Sequence, residues 1–320
     1  DVYKRQGAMH TIGVDIGGTN IEVGLVDQKH KVSARAKDTT PSAGPSEFVK
    51  LISKLVKEVG GEPAALGVGV PGVISNDVLV KAPNLPGWSE KTDFKGMLEK
   101  KLGVPVGLGN DVDVGLLGEW VAGAAKGGDY VLGVWMGTGV GGSLILDGRP
   151  YHGVSGGAGE FGHLIVHHDG ALCTCGRRGC VEGYGGRRAM ERTIELRIAA
   201  GFETSIDGIR KKKGKGHFTS GVWQEALESK DPLAVAMFRD AVTAVGVGVA
   251  SAINLLDLDR VVIGGGFAEK LGTDLTGAIE EVARPLMLRP SPDLVVVPAK
   301  LGDDSGVVGA AALAKSVIVR

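Results

Sequence analysis

Aromatic residues, cysteines and net charge are all scarce in this 320-residue chain. Aromatic residues make up 5% of it, there are three cysteines, and 36 lysines and arginines stand against 37 aspartates and glutamates. The balanced charge gives no broad positive surface, so we expect no nucleic-acid partner. A small, odd number of cysteines argues against a disulfide framework. Any binding site must therefore be local.

Long hydrophobic runs are also missing from the sequence. The longest candidate, Val245–Leu256, is short and interrupted by glycine, so we expect no membrane span. The first residues, Asp1–His10, have no apolar core of the kind found in signal peptides and are expected to be a tag-like or unstructured leader. Together with reduced cysteines, these features predict a cytoplasmic protein.

Glycine is abundant, with 53 residues, and the length is sufficient for two α/β domains. A strand, a glycine turn and a second strand are predicted over Thr11–Asp27, and again over Val131–Gly148. This repetition predicts an internal duplication in which each copy opens one domain. The alternation of strand and helix patterns that follows predicts parallel sheets with crossover helices.

Three glycine segments predict a site for a polyphosphate. Two G-x-G-x-x-G matches, at Gly67–Gly72 and Gly137–Gly142, are not followed by a helix, which argues against a dinucleotide-binding fold. Any single turn is better explained as an ordinary hairpin. Taken together, however, the segments can present backbone N–H groups to phosphates, and their residues are Gly17, Gly18, Thr19 and Asn20, then Gly137, Thr138 and Gly139, then Gly264, Gly265 and Gly266. Asp15, just before the first turn, is placed to hold Mg²⁺ directly or through water.

A candidate catalytic base lies where an apolar strand passes into a helix, in the sequence Gly109-Asn110-Asp111-Val112-Asp113. Helix capping alone would explain one of the polar residues. Phosphoryl transfer to an alcohol needs a carboxylate that orients the hydroxyl and accepts its proton. We assign that role to Asp111 and expect Asp113 to face away along the helix.

The three cysteines predict a metal site. Cys173, Cys175 and Cys180 fall within eight residues, and Glu160 and Glu182 flank the cluster. Three thiolates and one imidazole complete a closed tetrahedral zinc site, which would be structural. Spacing alone leaves the histidine open, because His163, His167 and His168 are all near in sequence.

Five motifs together resemble those of the ROK family of bacterial sugar kinases and sugar-responsive repressors. They are Asp15-Ile-Gly-Gly-Thr19, Asn110-Asp111, Gly137-Thr-Gly139, Gly159-Glu-Phe-Gly-His163 and Cys173-x-Cys175-Gly-x-x-Gly-Cys180-x-Glu182. The resemblance spans nearly the whole chain after the leader. It implies the α/β, actin-like (ribonuclease-H-like) ATPase fold, with two domains and an interdomain cleft that holds sugar and ATP.

The resemblance also implies roles for single residues. Asp111 corresponds to the catalytic base, and the implied hexose ligands are Asn84, Asn110, Asp111, Glu160, His163 and Glu182. It implies His163, Cys173, Cys175 and Cys180 as the zinc ligands, which resolves the choice among the histidines. Two positions depart from the family pattern. Asn20 stands where some members have lysine, so no cation is assigned to the phosphates there, and Gly109 stands where an acidic residue often occurs.

We therefore expect a glucokinase that uses MgATP, in a cytoplasmic homodimer or homotetramer of carbohydrate metabolism and glycolysis. The alternatives are a kinase for another hexose or an N-acetylhexosamine, or one that uses polyphosphate. A sugar-sensing repressor is the remote alternative, because little sequence precedes Thr11. The expected boundaries are a leader at 1–10, an N-terminal domain at 11–122 joined by a C-terminal helix near 305–320, and a second domain at 123–304 with the zinc loop at 163–182.

Overall fold

The computed structural model of the chain describes residues 10–75, 77–82, 85, 87–88 and 91–318. Within these residues the chain forms two compact α/β units. The first unit comprises the described residues of Asp1–Gly127, Pro150–Ala158 and Lys300–Arg320, and the second comprises Gly128–Arg149 and Gly159–Ala299. The sequence therefore returns to the first unit twice.

The strands are numbered in chain order. They are β1 Thr11–Ile16, β2 Asn20–Val26, β3 Val32–Thr39, β4 Leu66–Val70, β5 Val73–Ser75, β6 Val78–Lys81, β7 Val106–Asn110, β8 Val131–Met136, β9 Val140–Leu146, β10 Arg149–Pro150, β11 Arg260–Gly264 and β12 Val295–Pro298.

The α-helices are numbered in the same way. They are α1 Gly44–Val59, α2 Phe94–Leu102, α3 Asp111–Ala122, α4 Glu182–Gly185, α5 Arg187–Ala199, α6 Ile206–Lys212, α7 Ser220–Glu228, α8 Pro232–Leu256, α9 Gly266–Ala283 and α10 Asp304–Ile318. Two short 3₁₀ helices, Phe161–His163 and Arg284–Leu286, complete the described elements. Helix α9 is interrupted at Gly272, whose backbone is not helical.

The two five-stranded sheets have the same plan. In the first the strand order is β3-β2-β1-β4-β7, and in the second it is β10-β9-β8-β11-β12. Each central strand, β1 or β8, pairs antiparallel with the next strand along the chain and parallel with the strand on its other side. Both strand-turn-strand predictions are confirmed. The expected parallel pairing is also confirmed, because β1, β4 and β7 are parallel in the first sheet and β8, β11 and β12 are parallel in the second. Each tight glycine turn joins its two strands as an antiparallel hairpin.

Helix α10 packs directly against the first sheet, backbone to backbone. A Cβ atom at Gly13 of β1 would overlap the carbonyl oxygen of Val307, and one at Gly67 of β4 would overlap that of Ala310. The approach to α10 is held by Glu119 of α3, which is fully buried and accepts hydrogen bonds from the backbone N–H groups of Ala124, Lys300 and Leu301. The C-terminal segment is thereby built into the first unit.

Helix α8 extends well beyond Val245–Leu256, the longest apolar run found in the sequence. Its 25 residues run through Gly246 and Gly248, and by length and composition it could cross a membrane. The expectation that no segment reaches that length is therefore wrong. However, 56% of its most apolar window is buried, and its side chains Val245 and Val249 belong to the core of the second unit. This packing accounts for the apolar composition.

The contact between α10 and the sheet predicts the effect of a single methyl group. We expect Gly67→Ala to lower the free energy of unfolding by roughly 1–3 kcal/mol, because the strand and helix backbones must move apart. Chemical denaturation measures the change. Gly277→Ala is the control, since its Cβ would meet nothing within 4 Å in the middle of α9, and alanine there should be neutral or slightly stabilising. Equal stability of the two variants would contradict the close packing.

Candidate functional site

The turn after β1 is a tight, exposed loop in the first unit. The N–H of Gly17 donates to the carbonyl of Asn20 at 2.9 Å, and the Thr40 hydroxyl donates to the Gly17 carbonyl at 2.7 Å. Gly18, Thr19 and Asn20 are exposed, and the space beside Gly18 is open. Hydrogen bonds thus fix the turn at Gly17, while the residues that follow are accessible, as a backbone site for an anion requires.

Asp15 lies near the end of β1, and its carboxylate lies against the first turn of α10. A Cβ atom at Gly306 would overlap the Asp15 carboxylate, so only glycine permits this approach. Burial, together with the negative charges of Asp111, Glu22 and Asp303, raises the pKa of Asp15 to about 7. Because burial and nearby negative charges disfavour the ionised form of Asp15, a cation that binds beside it would be strongly favoured.

Strand β2 adds a carboxylate to this group, and strand β3 brings two basic residues to it. Glu22 is 8% exposed and pairs with Asp15 across the β1 and β2 ladder. Arg35 of β3 forms ion pairs with both Glu22 and Asp304, and Lys37 lies 3.3 Å from Glu22. No sequence pattern indicates this network, because Arg35 and Asp304 are 269 positions apart along the chain.

Asn110 forms the junction between β7 and α3. Its side-chain oxygen caps the helix by accepting from the N–H of Val112 at 2.9 Å, and its amide donates to the carbonyl of Gly72 at 3.0 Å. Asn110 is therefore the residue that helix capping explains, in agreement with the expectation that capping accounts for one of the polar residues at this junction. The amide also donates to the Asp111 carboxylate, and this hydrogen bond lowers the pKa of Asp111.

Asp111 is the first residue of α3 and is half-buried. Burial and the negative charge of Asp113 raise its pKa, hydrogen bonds from Val112 and Asn110 lower it, and the net value is about 6. Asp113, which was expected to face away along the helix, has a partner of its own. Its carboxylate lies 3.2 Å from Nδ1 of His152, and this contact raises the pKa of the histidine.

The second unit brings its two glycine segments together. Gly264 of β11 pairs with Trp135 of β8, so both strands end at the same edge of the sheet. Gly265 has φ +84°, and a Cβ there would lie 2.5 Å from the Met136 carbonyl oxygen. A Cβ at Gly266 would lie 2.5 Å from the Ser220 hydroxyl. The segments meet at the carboxyl ends of parallel strands, where α/β sheets commonly bind ligands.

The turn Gly137-Thr138-Gly139 is held by α4 and α5. The backbone N–H of Arg187 donates to the Gly137 carbonyl at 3.1 Å. Oε2 of Glu182 accepts from the N–H of Val140 at 3.0 Å, and a Cβ atom at Gly139 would overlap that carboxylate. The sequence did not single out Arg187, because it belongs to no motif.

Glu160 and Glu182 lie beside the group of residues that could bind a metal, which includes His163. Glu160 is exposed, and its carboxylate lies 3.9 Å from Nε2 of His163. The other nitrogen of His163, Nδ1, lies 3.8 Å from Sγ of Cys173. Oε1 of Glu182 accepts from the Thr174 hydroxyl at 2.6 Å. One histidine ring therefore has a nitrogen on each side, one toward the sulfurs and one toward Glu160.

The ligand atoms of His163, Cys173, Cys175 and Cys180 all lie within 4.8 Å of one another, so this group can hold a metal ion. The other two histidines have different partners, since His167 lies 3.4 Å from the Tyr184 hydroxyl and His168 lies 3.0 Å from Asp169. The Cys175 and Cys180 sulfurs are 3.8 Å apart. That is the separation expected for two thiolates on a tetrahedral zinc with bonds of about 2.3 Å.

The predicted residues thus form two sets. In the first unit Asp15, the following turn, Asn110 and Asp111 belong to one sheet edge and its helices. In the second, the glycine segments, Glu182, Glu160, His163 and the cysteines are adjacent. Asn84, the remaining candidate, lies outside the described residues.

Known proteins resemble this chain over nearly its full length. The glucokinase of Streptomyces coelicolor is 34% identical over 95% of this chain and 97% of its own length. The N-acetylgalactosamine kinase AgaK of Shewanella sp. is 30% identical over 94% of this chain and 95% of its own. A crystal structure of a ROK family glucokinase from Streptomyces griseus with glucose and AMPPNP superimposes with a TM-score of 0.82 and 33% identity, covering 96% of this chain and 99% of that one.

The similarity confirms the expected fold of actin-like sugar kinases. The ROK family pattern itself matches residues 11–317. The chain belongs to the ROK family.

Proposed function

We propose that this protein is an ATP-dependent hexokinase that converts glucose to glucose 6-phosphate. The observation that carries the proposal is Asp111, a half-buried carboxylate at a helix start whose pKa is raised to about 6. A base with such a pKa is ionised at neutral pH yet basic enough to accept a proton during the reaction. Relatives over the full chain that are glucokinases support the choice of reaction.

In the proposed reaction Asp111 orients the 6-hydroxyl of the sugar and accepts its proton. The hydroxyl oxygen then attacks the γ-phosphorus of ATP, forming the new P–O bond as the bond to the ADP oxygen breaks. The proton stays on Asp111 until the products leave. Asp111 is itself negatively charged and cannot neutralise the phosphate, so other groups in the site must do so.

The glycine turns are proposed to bind the nucleotide phosphates through their backbone N–H groups and the hydroxyls of Thr19 and Thr138. Asp15 fits a role in holding Mg²⁺, directly or through water, because the surrounding carboxylates disfavour its ionisation without a cation. When bound with ATP, Mg²⁺ would neutralise phosphate charge. Gly264, Gly265 and Gly266 are proposed to let the nucleotide approach the backbone at the start of α9.

The hexose is proposed to be bound by Asn110, Glu160, His163 and Glu182, with Asn84 as a further candidate. Carboxylates accept hydrogen bonds from sugar hydroxyls, and Asn110 lies beside the Asp111 carboxylate. Nε2 of His163 points to the side of Glu160. A metal on Nδ1 would thus fix the ring that contacts the sugar.

We propose zinc as the metal of the Cys₃His group. The donor set and the spacing of its sulfurs fit tetrahedral zinc. Burial raises the pKa of the Cys173 thiol to about 12 in the protein without metal. Because ligands bind as thiolates, zinc would displace protons from these sulfurs. Its role would be structural, holding the loop between His163 and Glu182.

We also propose a cytoplasmic homodimer or homotetramer that supplies hexose phosphate to glycolysis. Reduced cysteines and resemblance to the ROK kinases support this proposal. Static light scattering of the purified protein tests the oligomeric state, and a monomer at micromolar concentration would contradict it.

Replacing the base tests the reaction. We expect Asp111→Asn to keep the fold and glucose binding but to lower kcat by at least about a hundredfold, because the amide cannot accept the proton. For the wild type, kcat/KM should fall as pH decreases below about 6, where Asp111 becomes protonated.

Asp113→Asn is the matched control for that measurement. It should retain turnover, and the acidic limb of its pH profile should move to lower pH, because Asp113 raises the pKa of Asp111. Near-normal turnover in Asp111→Asn would remove this carboxylate from the role of base.

Metal analysis tests the zinc site. We expect about one zinc ion per chain, and we expect Cys175→Ser to lose it together with thermal stability and hexose affinity. His168→Gln is the control and should keep the metal, since that side chain is exposed and lies beside Asp169. A zinc-free wild type with normal glucose affinity would sink the assignment.

A comparison of sugars tests the substrate. We expect kcat/KM for glucose to exceed that for fructose and N-acetylglucosamine with saturating MgATP, because a site built to pair sugar hydroxyls penalises a sugar that leaves its acceptors unpaired. Similarity to the N-acetylgalactosamine kinase makes N-acetylgalactosamine a necessary fourth sugar. Polyphosphate, the alternative donor, is tested in place of ATP. Preference for an N-acetylated sugar would overturn the choice of glucose and leave the kinase mechanism intact.

A further inference from the structure

The nucleotide turns lack a cation of their own. Neither the turn at 17–20 nor the turn at 137–139 contains lysine or arginine. The triphosphate of ATP carries several negative charges, and Mg²⁺ neutralises only two of them. Sites for phosphoryl transfer therefore usually add a lysine or arginine to metal and backbone donors.

We infer that Arg187 supplies this positive charge at the Gly137-Thr138-Gly139 turn, an inference that rests on the proposed function. Its Nη2 donates to the Thr138 hydroxyl at 2.9 Å, while its backbone N–H holds the Gly137 carbonyl. The guanidinium is therefore directly beside the hydroxyl that the proposal places on the phosphates.

Arg187 keeps donors available for an anion. A guanidinium has five N–H donors, and the contacts of this side chain are Thr138 and, at 3.9 Å from Nε, Glu191. Glu191 itself accepts from the backbone N–H of Phe218 at 2.9 Å. The carboxylate is thus shared and lies beyond hydrogen-bond distance, so it orients Arg187 without occupying its donors.

Helix stability does not explain an arginine at this position. Arg187 is the first residue of α5, and no side chain caps that end of the helix. The N-terminus of a helix carries partial positive charge, so a cation there is unfavourable by a few tenths of a kcal/mol or more. An arginine placed against the dipole and beside an exposed glycine turn fits anion binding.

The Glu191 contact also connects Arg187 to the glycine segment Gly264–Gly266. Phe218 lies two residues before Ser220, whose hydroxyl is next to Gly266. One chain of contacts therefore runs from Thr138 through Arg187, Glu191 and Phe218 to the start of α9. It would hold the guanidinium in place along the nucleotide.

The test compares Arg187→Gln, Arg187→Lys and a control, Arg197→Gln. The control removes the same charge from the last turn of α5, where Arg197 is exposed and lies over the Phe202 ring. MgATP binding is measured by calorimetry at two salt concentrations, and kinase activity is measured with glucose.

We expect Arg187→Gln to weaken MgATP binding by tenfold or more, with a smaller salt dependence and unchanged glucose affinity. Arg187→Lys should recover part of the loss, because it restores the charge without the bidentate geometry. The control should stay within about twofold of the wild type, the range expected for an exposed charge.

Equal MgATP binding by Arg187→Gln and Arg197→Gln would overturn the inference. So would a loss in Arg187→Gln that Arg187→Lys does not recover and that leaves the salt dependence as in the wild type, since that result indicates only a structural link to Thr138. Because binding is measured without sugar, a wild type that binds MgATP but phosphorylates no hexose would refute the proposed function and leave this inference standing.

Discussion

The first unit depends on backbone-to-backbone contact between α10 and its neighbours. Gly13 and Gly67 let the helix lie directly on β1 and β4, and Gly309 does the same against α3, where a Cβ would overlap the Val114 carbonyl oxygen. This contact sets where the first turn of α10 lies, and Gly306 in that turn admits the Asp15 carboxylate. A side chain at any of these positions would displace the helix and with it the surroundings of Asp15.

The close packing has an electrostatic consequence. It buries Asp15 and places Glu22, Asp111 and Asp303 near it, and burial together with their negative charges raises the pKa of Asp15 to about 7. Relative to its usual value of 3.8, such a pKa means that the folded state binds the proton more tightly than the unfolded state. The protein without ligand therefore loses stability from this group as pH rises between about 4 and 7. A bound cation would remove that penalty, so cation binding should increase the stability of the folded protein.

Much of this arrangement could be predicted from sequence because its signals are local. The strand-turn-strand units, the helix after Asn110 and the clustered cysteines each depend on neighbouring residues. Long-range contacts could not be read in this way. Arg35 reaches Asp304, Glu119 holds Leu301, and Arg187 meets Thr138 only because the folded chain brings them together.

Glu182 connects two features of the second unit that the sequence treats as separate. One carboxylate oxygen accepts from the N–H of Val140, next to the glycine turn, and the other accepts from Thr174 in the metal loop. The carboxylate can still accept a sugar hydroxyl, because each oxygen has a second lone pair. Its orientation, however, is set from both sides. A metal that fixes the loop would therefore act on the glycine turn through this side chain, which gives the proposed zinc a reason to lie beside the proposed phosphate-binding turn.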